Sequence, residues 1–108
     1  MSEILIMCTA DTPDLAHRIG TKLVESRLAA CVNILPGIRS IYRWEGKICN
    51  DGEVLLLIKS TAWRFEEIRA FIRGIHSYQV PEIIAVPITA GDADYLNWLR
   101  QNVGPESS

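Results

Sequence analysis

The sequence predicts an α+β domain of the ferredoxin-like type, with element order β-α-β-β-α-β and a short final helix. Three observations predict it. Continuously apolar runs of strand length alternate with two amphipathic helical patterns, a hairpin signal falls near the middle, and 108 residues suit one domain. We therefore expect a single domain over residues 1–108, with a four-stranded antiparallel sheet and both main helices on one face.

The first two elements are a buried strand and an amphipathic helix. Ile4–Cys8 is continuously apolar, which is typical of a strand covered on both faces. Thr12 can cap the next helix, and Pro13 suits its first position. Apolar residues then recur every fourth position as far as about Arg27, as expected for a helix with one buried side.

The next segment predicts a long strand with an interruption. Ala30–Leu35 and Ile38–Ile48 are strand-like, and Pro36-Gly37 separates them. Tyr42 and Trp44 fall on the same face beyond the interruption. Such a long apolar hairpin with open edges invites pairing with another chain, so we interpret it as an assembly device and Tyr42 and Trp44 as interface residues.

The second half predicts a hairpin, a helix and a final strand. Asn50-Asp51-Gly52 is a tight-turn signal that leads into the apolar strand Val54–Ile58. A helix is expected over Ala62–Arg73 with Gly74 as its C-cap, and a strand over Gln79–Ile88. Asp92 caps a short helix, and residues 104–108 are expected to be a frayed tail.

Composition and charge exclude several classes of function. The formal net charge is −2 and the isoelectric point about 5.6, which argues against nucleic-acid binding. No run of like charges indicates a membrane surface, and the N-terminus MSEILIMCTAD has neither a signal peptide nor a membrane span. Three widely spaced cysteines do not indicate a disulfide framework. We therefore expect a cytoplasmic protein.

Four segments carry a resemblance to a known family. They are RLAACVNILPGIRSIYRWEGKI, EVLLLIKS, HSYQVPEIIAVPI and DADYLNWL, and they span most of the chain from about Ile4 to Trp98. In order and spacing they closely resemble the CutA family of divalent-cation tolerance proteins. The resemblance implies a tight homotrimer with an architecture like that of the PII signalling proteins. It also implies binding of copper or other divalent cations and a role in metal tolerance.

The candidate metal ligands are Cys8, Cys31, His76 and Glu82. Thiols suit soft ions such as Cu(I), imidazole suits copper or zinc, and a carboxylate adds an oxygen ligand. Each has a structural alternative: the two cysteines can be small core residues, and His76 can bond its own loop. The segment resembles the family's His-Pro-Tyr…Pro-Glu motif, but Ser77 replaces the proline. Some relatives carry a second histidine where this chain has Ile75.

Lys59 and Tyr78 are candidates for a ligand cleft. Lys59 ends an apolar strand, where it can reach solvent, pair with Glu82 or bind an anion. The resemblance favours a cleft near a subunit boundary that gathers Lys59, His76, Tyr78 and Glu82. The alternative function is therefore a PII-like regulatory or scaffold trimer that binds a small anionic ligand.

Catalysis is not expected from this sequence. It contains no C-x-x-C, H-E-x-x-H, G-x-S-x-G or phosphate-binding glycine loop. A nucleophilic pair of Cys31 and His76 has no evident orienting group or oxyanion donors. We expect a binding protein with no catalytic residues.

Overall fold

The computed structural model describes residues 2–105. Thr12 caps the first helix by accepting a hydrogen bond from the Leu15 N–H at 3.2 Å, and Asp92 caps the last by accepting one from the Tyr95 N–H at 3.2 Å. Both predicted caps are therefore confirmed. The elements are β1 Glu3–Ala10, α1 Pro13–Glu25, β2 Cys31–Trp44, β3 Lys47–Thr61, a 3₁₀ turn Ala62–Arg64, α2 Phe65–Ile75, β4 Ile83–Pro87 and α3 Ala93–Gln101.

The strands form one antiparallel sheet in the order β2-β3-β1-β4. β1 is central, with Cys8 opposite Leu56 of β3 and Ile83 of β4. This order, with a helix in each β-α-β unit, confirms the predicted ferredoxin-like fold.

The two main helices cover one face of the sheet. The core contains even-numbered residues of β1 and β3 and the apolar stripes of α1 and α2. Ile6, Leu56 and Ile58 are fully buried there, as Ile19 and Ile72 are on the helices. Because side chains alternate along a strand, the odd-numbered residues point to the other face, where Leu55 and Leu57 are half-buried.

The hairpin turn lies six residues before the predicted one. Glu45 and Gly46 have φ angles of 50° and 80°, as the turn between β2 and β3 requires, while Asn50–Gly52 are inside β3. The reason is register. Pairing Leu55–Ile58 with Val32–Leu35 places the midpoint of the hairpin at 45–46.

The interruption at Pro36-Gly37 is a β-bulge. The register shifts between Leu35 and Ile38, and Gly37 has a φ of 79°. A bulge bends its strand and increases the local twist. Beyond it the hairpin projects from the body of the domain, and Ile41 and Ile48 near its tip are 71% and 64% exposed. Beyond the bulge β2 stays paired with β3 of its own chain, from Ile38 opposite Glu53 to Trp44 opposite Lys47, so pairing of this hairpin with another chain remains a prediction.

Two element ends differ from the sequence prediction. α2 runs through Gly74 to Ile75, and the His76 N–H donates to the Ile72 carbonyl at 2.9 Å, so Gly74 is not a cap. β4 begins at Ile83 rather than Gln79. Proline has no N–H to donate to a ladder, and the chain from 76 to 82, which contains Pro81, forms a loop instead.

The C-terminal segment is anchored as far as Pro105. Gly104 is buried, its N–H donates to the Arg27 carbonyl at 2.8 Å, and its own carbonyl accepts from Trp63 Nε1 at 3.1 Å. Arg64 also donates to the carbonyl of Pro105. The expectation of a frayed tail is therefore wrong for residues 104 and 105, and the rest of that tail, 106–108, lies outside the described residues.

Candidate functional site

A groove of about 610 Å³ lies between the projecting hairpin and the loop after α2. The carboxylates of Glu53 and Glu82 line it, with Thr9 at the end of β1. Its aromatic and apolar walls come from both sides: Ile41, Tyr42, Trp44, Tyr78 and Val80. The β-bulge and the 45–46 turn position the hairpin wall, and the 76–82 loop positions the other.

Tyr78 and Glu53 join the two walls. The Tyr78 hydroxyl donates to Glu53 Oε2 at 2.5 Å, and Glu53 is only 8% exposed. Burial, together with this hydrogen bond to a carboxylate, raises the pKa of the Tyr78 phenol. The phenol therefore stays protonated and acts as a fixed donor to Glu53.

His76 holds the loop in place through both ring nitrogens. Its Nε2–H donates to the Thr9 carbonyl at 2.7 Å, and its Nδ1 accepts from the Tyr78 N–H at 3.0 Å. These partners fix the neutral tautomer with the proton on Nε2. The ring also packs against Tyr78 with centroids 4.7 Å apart. His76 therefore orients Tyr78, and a metal could bind its ring only by displacing one of these bonds.

Ser77 connects the loop after α2 to the start of the chain's first helical segment. Its hydroxyl donates to Asp11 Oδ1 at 2.9 Å. The loop is thus connected to the turn before α1 at this point as well.

The hairpin wall carries a second tyrosine–carboxylate pair. The Tyr42 hydroxyl donates to Asp51 Oδ2 at 2.5 Å, and this bond raises the pKa of Tyr42 to about 12. Tyr42 and Trp44 are each 42% exposed in the single chain. Their position on an exposed wall is compatible with the predicted interface, which remains a prediction.

The structure places Cys8 and Cys31 on opposite faces of the sheet. Cys8 is on the helix-covered face and fully buried, and this burial, with the nearby Glu82 and Glu53 carboxylates, raises its pKa to about 12. Cys31 pairs with Lys59 across β2 and β3 on the other face. One chain therefore does not bring the two thiols together, and Cys8 has the surroundings of an inert core residue.

Lys59 does not reach the groove. Its ammonium lies 5.5 Å from the centre of the Tyr95 ring of α3, and its register partner on β1 is Leu5, four residues before Thr9. The predicted gathering of Lys59 with His76, Tyr78 and Glu82 is thus not formed within one chain. Tyr78 and Glu82 do line the groove together, with His76 directly behind.

The groove is acidic, and one of its two carboxylates, that of Glu53, was not predicted from the sequence. Among residues 2–105, no lysine or arginine lines it, while Glu53 and Glu82 do. Glu53 is an odd-numbered residue of β3 and directly follows Gly52. Its place on the face away from the helices could be predicted only once the strand register was known. Within the same residues, no three His, Cys, Asp or Glu side chains converge to hold a metal ion.

No helix in the described part of the chain has the length and apolar character needed to span a membrane.

The family model for CutA1 divalent ion tolerance protein matches residues 4–102. A divalent-cation tolerance protein CutA of Thermus thermophilus is 47% identical over 102 residues, which cover 94% of this chain and 99% of that protein.

Solved structures give the same relationship. That of a divalent cation tolerance protein from Thermus thermophilus has a TM-score of 0.92 at 47% identity, covering 94% of this chain and 99% of that one. Another is described as a periplasmic divalent cation tolerance protein CutA from Archaeoglobus fulgidus. It has a TM-score of 0.91 at 39% identity and covers 94% of this chain and 99% of that one. Sequence and fold thus agree, and this chain belongs to the CutA1 divalent ion tolerance family.

Proposed function

We propose that this chain forms a cytoplasmic homotrimer that binds copper or another divalent cation and contributes to divalent-cation tolerance, acting as a binding protein and not as an enzyme. The observation that carries the proposal is the charge of the groove. Glu53 and Glu82 face it, and among the described residues no basic side chain lines it. An unneutralised pair of carboxylates attracts cations, and family membership indicates that the relevant cations are divalent.

The carboxylates of Glu53 and Glu82 are the candidate metal ligands that line the groove. Cu(II) accepts oxygen and nitrogen ligands, so Glu53, Glu82 and a displaced His76 ring fit its chemistry. Cys8 does not fit, because its thiol is buried and protonated. One chain supplies too few groups for a complete shell among its described residues, so water or a neighbouring copy would fill the remaining positions.

The homotrimer is supported by the face of the sheet that the helices leave open. Ile84 and Val86 of β4 are 50% and 42% exposed, and Leu35 of β2 is 40% exposed. Leu55 and Leu57 lie between these edge strands. A contiguous apolar surface of this kind is typical of an interface, and a further copy of the chain is the simplest cover.

The anion-binding alternative receives less support from the geometry. It requires Lys59 and His76 to act together, whereas Lys59 lies over Tyr95 and both nitrogens of His76 are hydrogen-bonded. A groove lined by two carboxylates disfavours an anion. We therefore place cation binding first.

Calorimetric titration of metal-free, reduced protein with CuCl₂, with oligomeric mass measured by light scattering, tests the proposal. We expect saturable binding to a trimer and at least about tenfold weaker binding in Glu82→Gln, as for loss of one charged contact. Glu25→Gln, on the exposed surface of α1, is the matched control. If Glu82→Gln and the double variant Glu53→Gln/Glu82→Gln both bind copper as tightly as the parent protein does, the groove is excluded as the metal site.

A further inference from the structure

We propose that one water molecule binds beneath α3, where it joins the hydroxyl of Thr61 to the carboxylate of Glu3. This site lies outside the groove and goes beyond the proposed function, because it is closed within a single chain and needs neither a metal ion nor a neighbouring copy. Three observations carry it: a buried hydroxyl without a partner, a buried carboxylate directly across the strand pair, and the balance of charge around them.

The hydroxyl of Thr61 is a buried polar group without a partner. Thr61 ends β3 and has no exposed surface, and among residues 2–105 its Oγ1 is the buried side-chain atom that makes no hydrogen bond. It occupies the N-cap position of the 3₁₀ turn, yet its side chain makes no cap bond there. Native proteins satisfy nearly all such groups, either from the protein or from ordered water. Because Thr61 is already sealed in one chain, a neighbouring copy cannot supply the partner.

Glu3 is the nearest acceptor by strand register. It lies opposite Thr61 on β1, and both side chains point to the face away from α1 and α2, at the end where Arg100 of α3 reaches Glu3. The Cβ atoms of directly opposed residues are about 4.5–5.5 Å apart, a separation that one water can bridge with two hydrogen bonds of about 2.8 Å.

The Glu3 carboxylate has accepting capacity left for this water. Its Oε2 accepts from Ser2 Oγ at 2.6 Å, and its Oε1 pairs with Arg100 Nη1 at 3.1 Å. Each carboxylate oxygen can accept a second hydrogen bond. The Thr61 hydroxyl can therefore donate to the water, and the water can donate to Glu3.

The charges around the hydroxyl select a neutral ligand. The Glu3 carboxylate would repel an anion, whereas the Arg100 guanidinium, which already neutralises that carboxylate, would repel a metal ion or an ammonium ion. Water is neutral, both donates and accepts, and is small enough for an enclosed polar site. Bound there, it would connect β1 and β3 at the point where α3 packs on them.

High-resolution crystal structures of the parent protein and of two variants test the inference directly. We expect a water within hydrogen-bond distance of both Thr61 Oγ1 and a Glu3 carboxylate oxygen in every copy. Thr61→Ser, which keeps the hydroxyl, should retain it, and Thr61→Val, which keeps the shape of the side chain, should lose the bond to it. A site without water, or a direct bond from Thr61 Oγ1 to a protein group, would overturn the inference.

Urea unfolding at one fixed protein concentration gives an independent measurement. Thr61→Val should raise the equilibrium constant for unfolding by about fivefold, as expected for loss of one hydrogen bond. Thr21→Val, at an exposed threonine of α1, is the matched control and should change it by less than about twofold. An unchanged or lower constant in Thr61→Val would show that the hydroxyl has no partner, and would contradict the inference.

The copper titration and the light-scattering mass separate this inference from the proposed function. Because the site is closed within one chain, Thr61→Val should keep the parent's copper affinity and oligomeric mass. Absence of copper binding or of a trimer in the parent would contradict the proposed function alone, and absence of the water would contradict only this inference.

Discussion

Leu56 and Leu57 are neighbours in β3, yet they belong to two different surfaces. Leu56 is fully buried against α1 and α2, whereas Leu57 is half-buried on the face that these helices leave open. The run Val54–Ile58 is apolar on both sides although the chain covers only one of them. The difference teaches that this sequence encodes two apolar surfaces, of which the helices α1 and α2 cover one, while the other is the surface that the proposed homotrimer would cover.

The largest expected effect distinguishes these two faces directly. Leu56→Ala should lower the free energy of unfolding by about 2–5 kcal/mol, because it removes buried methyl groups and leaves a cavity. Leu57→Ala is its matched partner, one residue away on the other face. Urea unfolding at several protein concentrations measures both variants, since a transition coupled to assembly moves with concentration.

The two outcomes for Leu57→Ala differ clearly. If a further copy covers the open face, the loss approaches that of Leu56→Ala and the oligomeric mass falls. If the face stays bare in solution, the loss remains below about 1 kcal/mol and the mass does not change. The second result would contradict the proposed homotrimer.

A second prediction concerns the end of the open face that α3 does cover. Glu3 is 2% exposed, and its carboxylate accepts from Ser2 Oγ and pairs with Arg100 Nη1 at 3.1 Å. Arg100→Ala should cost about 1–2 kcal/mol, because it removes one partner of a buried carboxylate while Ser2 and water still reach it. Thermal and urea unfolding at neutral pH measure the loss.

The pH dependence of this effect has a definite sign. The hydrogen bond from Ser2 and the pairing with Arg100 lower the pKa of Glu3 in the folded state. Its contribution is therefore fully present above the ordinary pKa of about 4.5 and is lost as the pH falls below that value, through the lowered folded-state pKa of Glu3. Arg69→Ala, which breaks the exposed pair with Glu66, is the control and should cost less than about 0.5 kcal/mol. Equal losses in the two variants would contradict a special role for the α3 end.

Local sequence patterns predicted part of this fold, and long-range pairing between strands decided the rest. The helices, their caps at Thr12 and Asp92, and the β-α-β-β-α-β order follow from local periodicity and capping chemistry, and all are present. The turn was misplaced because Asp51-Gly52 is a strong local signal, whereas the true turn at 45–46 is fixed by pairing between strands.

The candidate site depended even more on long-range geometry. Glu82 and Tyr78 were found from the polar segment after α2, and both line the groove. Glu53 was missed because its position in β3, opposite Ile38 of β2, and its hydrogen bond with Tyr78 both depend on long-range pairing. Cys8 and Cys31 each lie in an apolar strand, and that pattern alone does not separate a metal ligand from a core residue. They differ because alternation along the two strands sends one side chain to each face.

The smallest expected effect concerns the bond between the two walls of the groove. Tyr78→Phe should lower the free energy of unfolding by about 1 kcal/mol, because Glu53 loses a hydrogen bond that is only partly replaced by water. Tyr95→Phe, at an exposed tyrosine on α3, is the control and should be nearly neutral. Urea unfolding between about pH 7 and 11, a range that spans the ordinary phenol pKa, measures both.

The sign of the pH dependence makes this prediction specific to the groove. The folded-state pKa of Tyr78 is raised, by burial first and by the bond to Glu53 second. Its contribution is therefore fully present below the ordinary phenol pKa of about 10 and declines as the pH rises above it. Tyr78→Phe should accordingly lose part of the alkaline decline in stability that the parent protein shows, while Tyr95→Phe should keep it. An unchanged alkaline decline in Tyr78→Phe would mean that the Tyr78–Glu53 bond does not hold the two walls together in solution.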